Sequence, residues 1–414
     1  VTAALAPTAA LALGISLGTT ALLILPRLSW LPLGRPGVAL LGAVLMVATG
    51  ALDPEAALAA VDPDALLLLF GMMMFSGALA EDGALDGIEE MALRVSGGSP
   101  RRLLALVGLG SAGLSALLVN DTVCVFLTPV VLRLCRAAGL PRLPYLLALA
   151  TAANIGGAAT LVGNPQNMLI GALSGLPFLR FTLAVGPAAL LALGAHLALM
   201  DWIFAGRLPA SCAVIAAAPR APRRLGLLLL AAVAAALILG APMGWTATGG
   251  ALALLVARRR APTRALAAVD WPMLVMFGGL FVVVEGLRAA GLAEVAFAAL
   301  RPAMALDDPA GLGVFTLAVV AGANLVSNVP LVMVVGPSVT ELGPPGLAWP
   351  ALGFISSVAG NLTLVGSVAN LIVAEAAAPE QEIGFWDYLR VGLPATALSL
   401  LVGIPALMGV FSIM

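Results

Sequence analysis

Long apolar runs, each ended by Gly, Pro or a charged residue, dominate the chain, and they do not alternate at period two as barrel strands would. Runs near 8–26, 36–52, 64–82, 180–204, 225–240, 243–257, 270–287 and 388–413 approach the ~20 residues that cross a ~30 Å hydrocarbon layer. Two others, 144–175 and 348–374, are apolar but punctuated by Gly and Asn, so each reads as a helix that stops and restarts. Two more, 100–137 and 310–341, are split by the words VNDT (119–122) and SNVP (327–330) and read as hairpins that enter a membrane and return on the same side. The pattern predicts an all-α polytopic membrane protein.

The word ALAAVD stands at 57–62 and again at 265–270. The same shift maps Gly83 onto Gly291, Asn120 onto Asn328 and Pro129 onto Pro337, and LVGNPQN at 161–167 meets LVGSVAN at 364–370. With non-crossing hairpins, an odd number of spans separates the two words, so the expected halves are inverted, a hallmark of secondary transporters. The predicted organisation is an N-terminal span at 1–35, a first repeat at 36–204, a cytoplasmic loop and linking span at 205–242, and a second repeat at 243–414. Each repeat holds one re-entrant hairpin (100–137, 310–341) and one discontinuous helix (144–175, 348–374).

Composition agrees: 61% of residues are hydrophobic, 10% are charged, and the net charge of −1 argues against a nucleic-acid partner and for a lipid bilayer. All 20 basic residues are Arg. Under the predicted topology seventeen of them share one side, leaving only Arg180, Arg288 and Arg301 opposite. That asymmetry predicts a multi-pass protein of the inner (cytoplasmic) membrane with its Arg-rich loops in the cytoplasm. Cys124, Cys135 and Cys212 lack metal-ligand spacing and read as packing residues, as do the methionines at 72–74. No HExxH motif or cofactor fingerprint is present and no Ser/His pair falls within the expected site, so no enzyme activity, cofactor or resident metal is expected.

The candidate chemistry is carboxamide chemistry. All eight asparagines, Asn120, Asn154, Asn164, Asn167, Asn324, Asn328, Asn361 and Asn370, fall in the hairpins or interrupted helices, four per half. At lipid depth such groups need a partner, an ion or water. In LVGNPQN, Gly163 suits a left-handed residue ending one half-helix, Asn164 a cap and Pro165 the next first turn; Gly366 and Ser367 can take the first two roles in the other half. Such breaks offer carbonyls to cations and N–H groups to oxyanions. Asp121 is the only acidic residue expected near the membrane centre and the candidate proton carrier; its counterpart, Val329, cannot titrate. With no Lys, and no Arg in 103–132, 143–179 or 302–389, the site is expected to offer no side-chain cation. His196, Glu285 and Glu375 read as structural or span-end residues.

The stretches LVNDTVCVFLTPVVL, PYLLALATAANIGGAATLVGNPQNMLIG and SNVPLVMVVGP resemble the ion transporter superfamily, in the branch of arsenite permeases and plant-type silicon efflux transporters. The resemblance implies inverted repeats with hairpins and discontinuous helices, a homodimer and elevator-like movement. The sodium-coupled dicarboxylate branch carries Ser-Asn-Thr at both tips; here Asn120 and Asn328 match its Asn, while Asp121 and Val329 depart from it. The resulting expectation is a secondary transporter exporting a small inorganic hydroxy acid by proton antiport, through Asn120, Asp121, Thr122, Gly163, Asn164, Asn167, Ser327, Asn328, Gly366, Ser367 and Asn370. The alternative is a sodium-coupled symporter of an inorganic or carboxylate anion, with Na+ at Asn120/Gly163 and Asn328/Gly366.

Overall fold

The structure is a computed structural model that describes residues 7–24, 33–84, 87–212, 223–291, 299 and 301–413. Arg27 and Arg220, both counted above toward the cytoplasmic side, lie outside them, as does the end of the first span. The described residues are helical throughout, without a strand. In chain order the helices are α1 (Pro7–Ile24), α2 (Gly34–Ala48), α3 (Pro54–Ala59), α4 (Pro63–Asp82), α5 (Ile88–Ser96), α6 (Pro100–Leu117) and α7 (Asn120–Ala138). Then come α8 (Arg142–Ala158), α9 (Pro165–Ser174), α10 (Phe178–Phe204), α11 (Arg224–Ile238), α12 (Met243–Ala257), α13 (Thr263–Ala267) and α14 (Trp271–Ala289). The last five are α15 (Pro309–Val326), α16 (Asn328–Val335), α17 (Pro345–Ala359), α18 (Val368–Ala377) and α19 (Phe385–Ile413).

Five described stretches are long and apolar enough to cross a membrane: Pro54–Asp82, Phe178–Phe204, Trp271–Ala289, Pro309–Val326 and Phe385–Ile413. Helices α2, α11 and α12 are shorter, at 15 residues each.

The hairpins are α6–α7 and α15–α16, and the broken helices are α8–α9 and α17–α18. The second hairpin departs from the first in its return arm, which runs on past Val335 as a 3-10 turn, Gly336–Glu341, with Pro337 in its first turn. The counterpart of Pro337 in the first hairpin, Pro129, is carried inside the continuous α7.

The halves pack on one another reciprocally. Helix α2 lies on α14 and α12 on α4, α8 meets α17, and α10 runs along α19. The repeated ALAAVD word ends in matching caps: Asp62 Oδ1 accepts from Asp64 and Ala65 N–H at the start of α4, and Asp270 Oδ1 accepts from Met273 N–H at the start of α14. A carboxylate there meets the orphan donors of a helix's first turn. At the far end of α4 the buried Asp82 holds Arg258 in a two-point ion pair, fixing α4 to the end of α12. Met72, Met73 and Met74 are buried in the core, and Met73 Sδ accepts from the Asp270 N–H at 3.4 Å.

Candidate functional site

Each break leaves the last carbonyls of one half-helix without intrahelical donors. The sequence solves this in the same way twice. Asn167 and Asn370 stand three residues past their caps, and side chains on a helix tilt toward its N-terminus, so both carboxamides reach back over the break. Asn167 Nδ2 donates to the carbonyls of Gly157, Ala158 and Thr160 at 3.3, 3.2 and 2.9 Å. Asn370 Nδ2 donates to those of Gly360 and Thr363 at 2.8 and 3.1 Å.

The breaks are also tied to each other. Asn154, on α8, donates to Asn361 Oδ1 at 2.9 Å and Asn370 Oδ1 at 3.0 Å, and accepts from Asn120 Nδ2 at 2.9 Å and Ser367 Oγ at 3.0 Å. Ser357, on α17, accepts from Asn164 Nδ2 at 2.9 Å and donates to Asn167 Oδ1 at 3.4 Å. Asn154 and Asn361 are central to this buried seam, yet a sequence reading does not separate them from the other carboxamides.

Three expectations about the breaks change. Neither Gly163 nor Gly366 takes positive φ. Glycine is needed for close approach instead: a Cβ on Gly163 would stand 2.3 Å from Gly157 O, and one on Gly366 would stand 2.5 Å from Asn324 Oδ1. Asn164 does cap α9, accepting from Asn167 N–H at 2.9 Å, with Pro165 following it. Ser367 makes no side-chain cap; its hydroxyl goes across the seam to Asn154.

The first tip is anchored to its break, since Asn120 N–H donates to Gly163 O at 2.9 Å and Asn120 Oδ1 accepts from Asp121 N–H at 2.9 Å. The second tip is not satisfied in the same way. Asn328 is 5% exposed, and among the described residues its Oδ1 has no hydrogen-bond partner. Ser327 beside it adopts φ 81° and ψ 156°, a region that costs a non-glycine residue of order 1–3 kcal/mol. Ser327→Gly is therefore expected to raise the thermal unfolding midpoint while weakening solute affinity. An unchanged or lower midpoint would show that the tip carries no such strain.

Both tips face one cavity of about 160 Å³. Asn120, Asp121, Ser327, Asn328 and Ser367 line it; Thr122, Gly163, Asn164, Asn167, Gly366 and Asn370 do not, and all of these except Thr122 belong to the breaks behind it. The N-terminal residues of four helices reach the lining: Asn120 of α7, Pro165 of α9, Asn328 of α16 and Val368 of α18. The dipoles of these helices favour electronegative ligand atoms, although Pro165 has no N–H and the Asn120 N–H is already taken by Gly163 O. The expectation of no side-chain cation is corrected here: Arg35 of α2 lines the cavity, together with Asp270 at the start of α14. Both are exposed, whereas Asn120 and Asn328 are buried, so the cavity runs from the surface down to the tips.

His196 is buried on α10 with Nε2 2.9 Å from Thr151 Oγ1. Thr151 donates its own hydroxyl to Leu147 O, so Nε2 carries the proton.

The profile of the citrate transporter family (CitMHS) matches residues 20–359. The chain belongs to that family. It is 33% identical to the silicon efflux transporter LSI3 of Oryza sativa subsp. japonica over 93% of this chain and 94% of that protein. It is 28% identical to the transporter named arsB of Dictyostelium discoideum, over 91% and 87%. The crystal structure of the Alcanivorax borkumensis YdaH transporter, described as having an unusual topology, aligns over 97% of this chain and 98% of that one with a TM-score of 0.59. At 17% identity that likeness speaks to fold alone. The chain is thus a helical membrane transporter whose relatives include silicon efflux and arsB-type proteins.

Proposed function

We propose that this transporter exports a small inorganic hydroxy acid of the arsenite or silicic acid type in exchange for protons. The single observation that carries the reading is the cavity lined by four helix N-termini, by Asp121 and by Asn328, whose Oδ1 has no partner among the described residues. An uncharged As(OH)3 or Si(OH)4 both donates and accepts hydrogen bonds. The dipoles at the helix starts favour its oxygens, and Asn328 Oδ1 serves a hydroxyl hydrogen. Arg35 alone faces Asp121 and Asp270 among the charged residues of the lining, which disfavours a multiply charged anion.

In this reading Asp121 carries the proton, the halves are inverted in an inner membrane with Arg-rich loops in the cytoplasm, and the cavity alternates between sides by elevator-like movement in a homodimer. The protein acts as a carrier and not as an enzyme, with H+ as its coupling ion. In proteoliposomes with an imposed pH gradient, arsenite or silicic acid is expected to drive proton movement that Asp121→Asn abolishes. Unchanged coupling in that variant removes Asp121 from the mechanism.

A second reading has its own support. Arg35 and the four helix starts together favour an anion, so a sodium-coupled anion symporter is the alternative. Flux lost when choline replaces sodium would select it.

A further inference from the structure

Asp121 is half-buried and lines the cavity beside the buried Asn120, so a proton carrier there exchanges with water by way of that cavity. Asp270 is exposed, lines that cavity too and is the more exposed of its two carboxylates. Its position is fixed from outside the hairpins, by its N–H on Met73 Sδ of α4 and by the packing of α14 on α2. Capping α14 occupies Oδ1 through the Met273 N–H, and among the described residues Oδ2 takes no hydrogen bond. A cap needs only a lone pair, so this carboxyl can gain and lose a proton at Oδ2 without releasing the helix.

We propose that Asp270 is the relay through which Asp121 exchanges its proton with water on this side of the protein. The inference rests on the reading of Asp121 as proton carrier. The protonated Asp121 gives its proton to the Asp270 carboxylate, directly or through water filling the cavity, and is left as a carboxylate. Asp270 then releases the proton to bulk water as hydronium, and loading runs the same steps in reverse. Nothing is oxidised or reduced.

The surroundings of Asp270 fit the role. The charged groups that face it across the cavity are Asp121 of α7 and Arg35 of α2. Helix α4 presents Met73 to it, and the acidic end of α4 is engaged elsewhere, Glu81 by Arg260 and Arg264 and Asp82 by Arg258. Helix α16 carries no titratable side chain, and α3 meets α14 near Val282 and Val283, far along from the cap. Arg35 holds the rim partly neutral, so a second carboxylate can stand opposite Asp121 without expelling all negative charge from the cavity. Asn328, whose buried Oδ1 has no hydrogen-bond partner among the described residues, lines the same cavity.

The test uses the full chain in proteoliposomes loaded with a pH-sensitive dye, with arsenite and silicic acid each tried as solute. Asp270→Asn keeps a good capping residue and removes the titratable group. It is expected to slow solute-driven proton movement at least tenfold relative to solute self-exchange in the same vesicles, and millimolar imidazole, a small diffusible proton carrier, is expected to restore much of that loss. Proton movement that is lost in Asp121→Asn and normal in Asp270→Asn overturns the relay and leaves the carrier. An equal fall of proton movement and self-exchange in both Asp270→Asn and Asp270→Ala also overturns it, by showing a structural role. Absence of proton movement in the unmodified protein removes relay and carrier together.

Discussion

Asn154→Ala is expected to be the most damaging single truncation in the seam, lowering stability by roughly 3–6 kcal/mol, which corresponds to roughly 3–7 °C in thermal unfolding for a chain of 414 residues. The Asn154 carboxamide uses both donors and both acceptor positions, on Asn361, Asn370, Asn120 and Ser367. All five residues are at least nine-tenths buried, so water cannot take over the lost bonds. Each group left bare costs ~1–3 kcal/mol, while the Nδ2 donors of Asn370 and Asn361 keep their bonds to the carbonyls of Gly360 and Thr363 and of Thr151. Truncation should also let the first tip move, because Asn120 loses the bond that holds its side chain. Thermal unfolding in detergent and reconstituted flux measure the two effects; a midpoint within a degree of the parent would show that the seam supports nothing.

Gly163→Ala is expected to reduce transport at least tenfold. The added methyl would lie 2.3 Å from Gly157 O, 2.6 Å from Gly157 Cα and 2.7 Å from Ser115 O. These are backbone atoms of α8 and α6, which no rotamer change can move aside. The break must shift instead, and with it the Gly163 carbonyl that receives the Asn120 N–H. Gly175→Ala supplies the contrast. Gly175 has φ +62° with open space around its missing Cβ, so the change costs ~1 kcal/mol of backbone strain and leaves the tips where they are. Flux equal to the parent in Gly163→Ala would show that the break tolerates displacement.

The residues that punctuate helices announced the breaks. Asn164, Pro165 and the carboxamide one turn later are local signals, each with a mechanism that needs no tertiary context, and the structure uses them in place. The reason for Gly163 was not legible, because left-handed backbone and close approach both select glycine, and only the distance to Ser115 and Gly157 tells them apart. Ser367 misled for a related reason. A hydroxyl at a cap position satisfies the local rule, yet here it bonds to Asn154, more than two hundred residues away in sequence. Arg35 and Asp270 were hidden altogether. Each stands at the start of an ordinary apolar helix, and what gives them meaning is the packing of α2 on α14 beside the two tips.

Helices α2, α11 and α12 have 15 residues each, roughly 22 Å of helix against a hydrocarbon layer of ~30 Å. Leu40 and Val44 on α2, Leu228 on α11 and Leu252 and Val256 on α12 are exposed, so these short helices present apolar surface outward. Acyl chains beside them must compress to meet that surface, at a cost of fractions of a kcal/mol per ångström of mismatch. Beside each such helix the bilayer is expected to thin, which favours membranes of short-chain lipid.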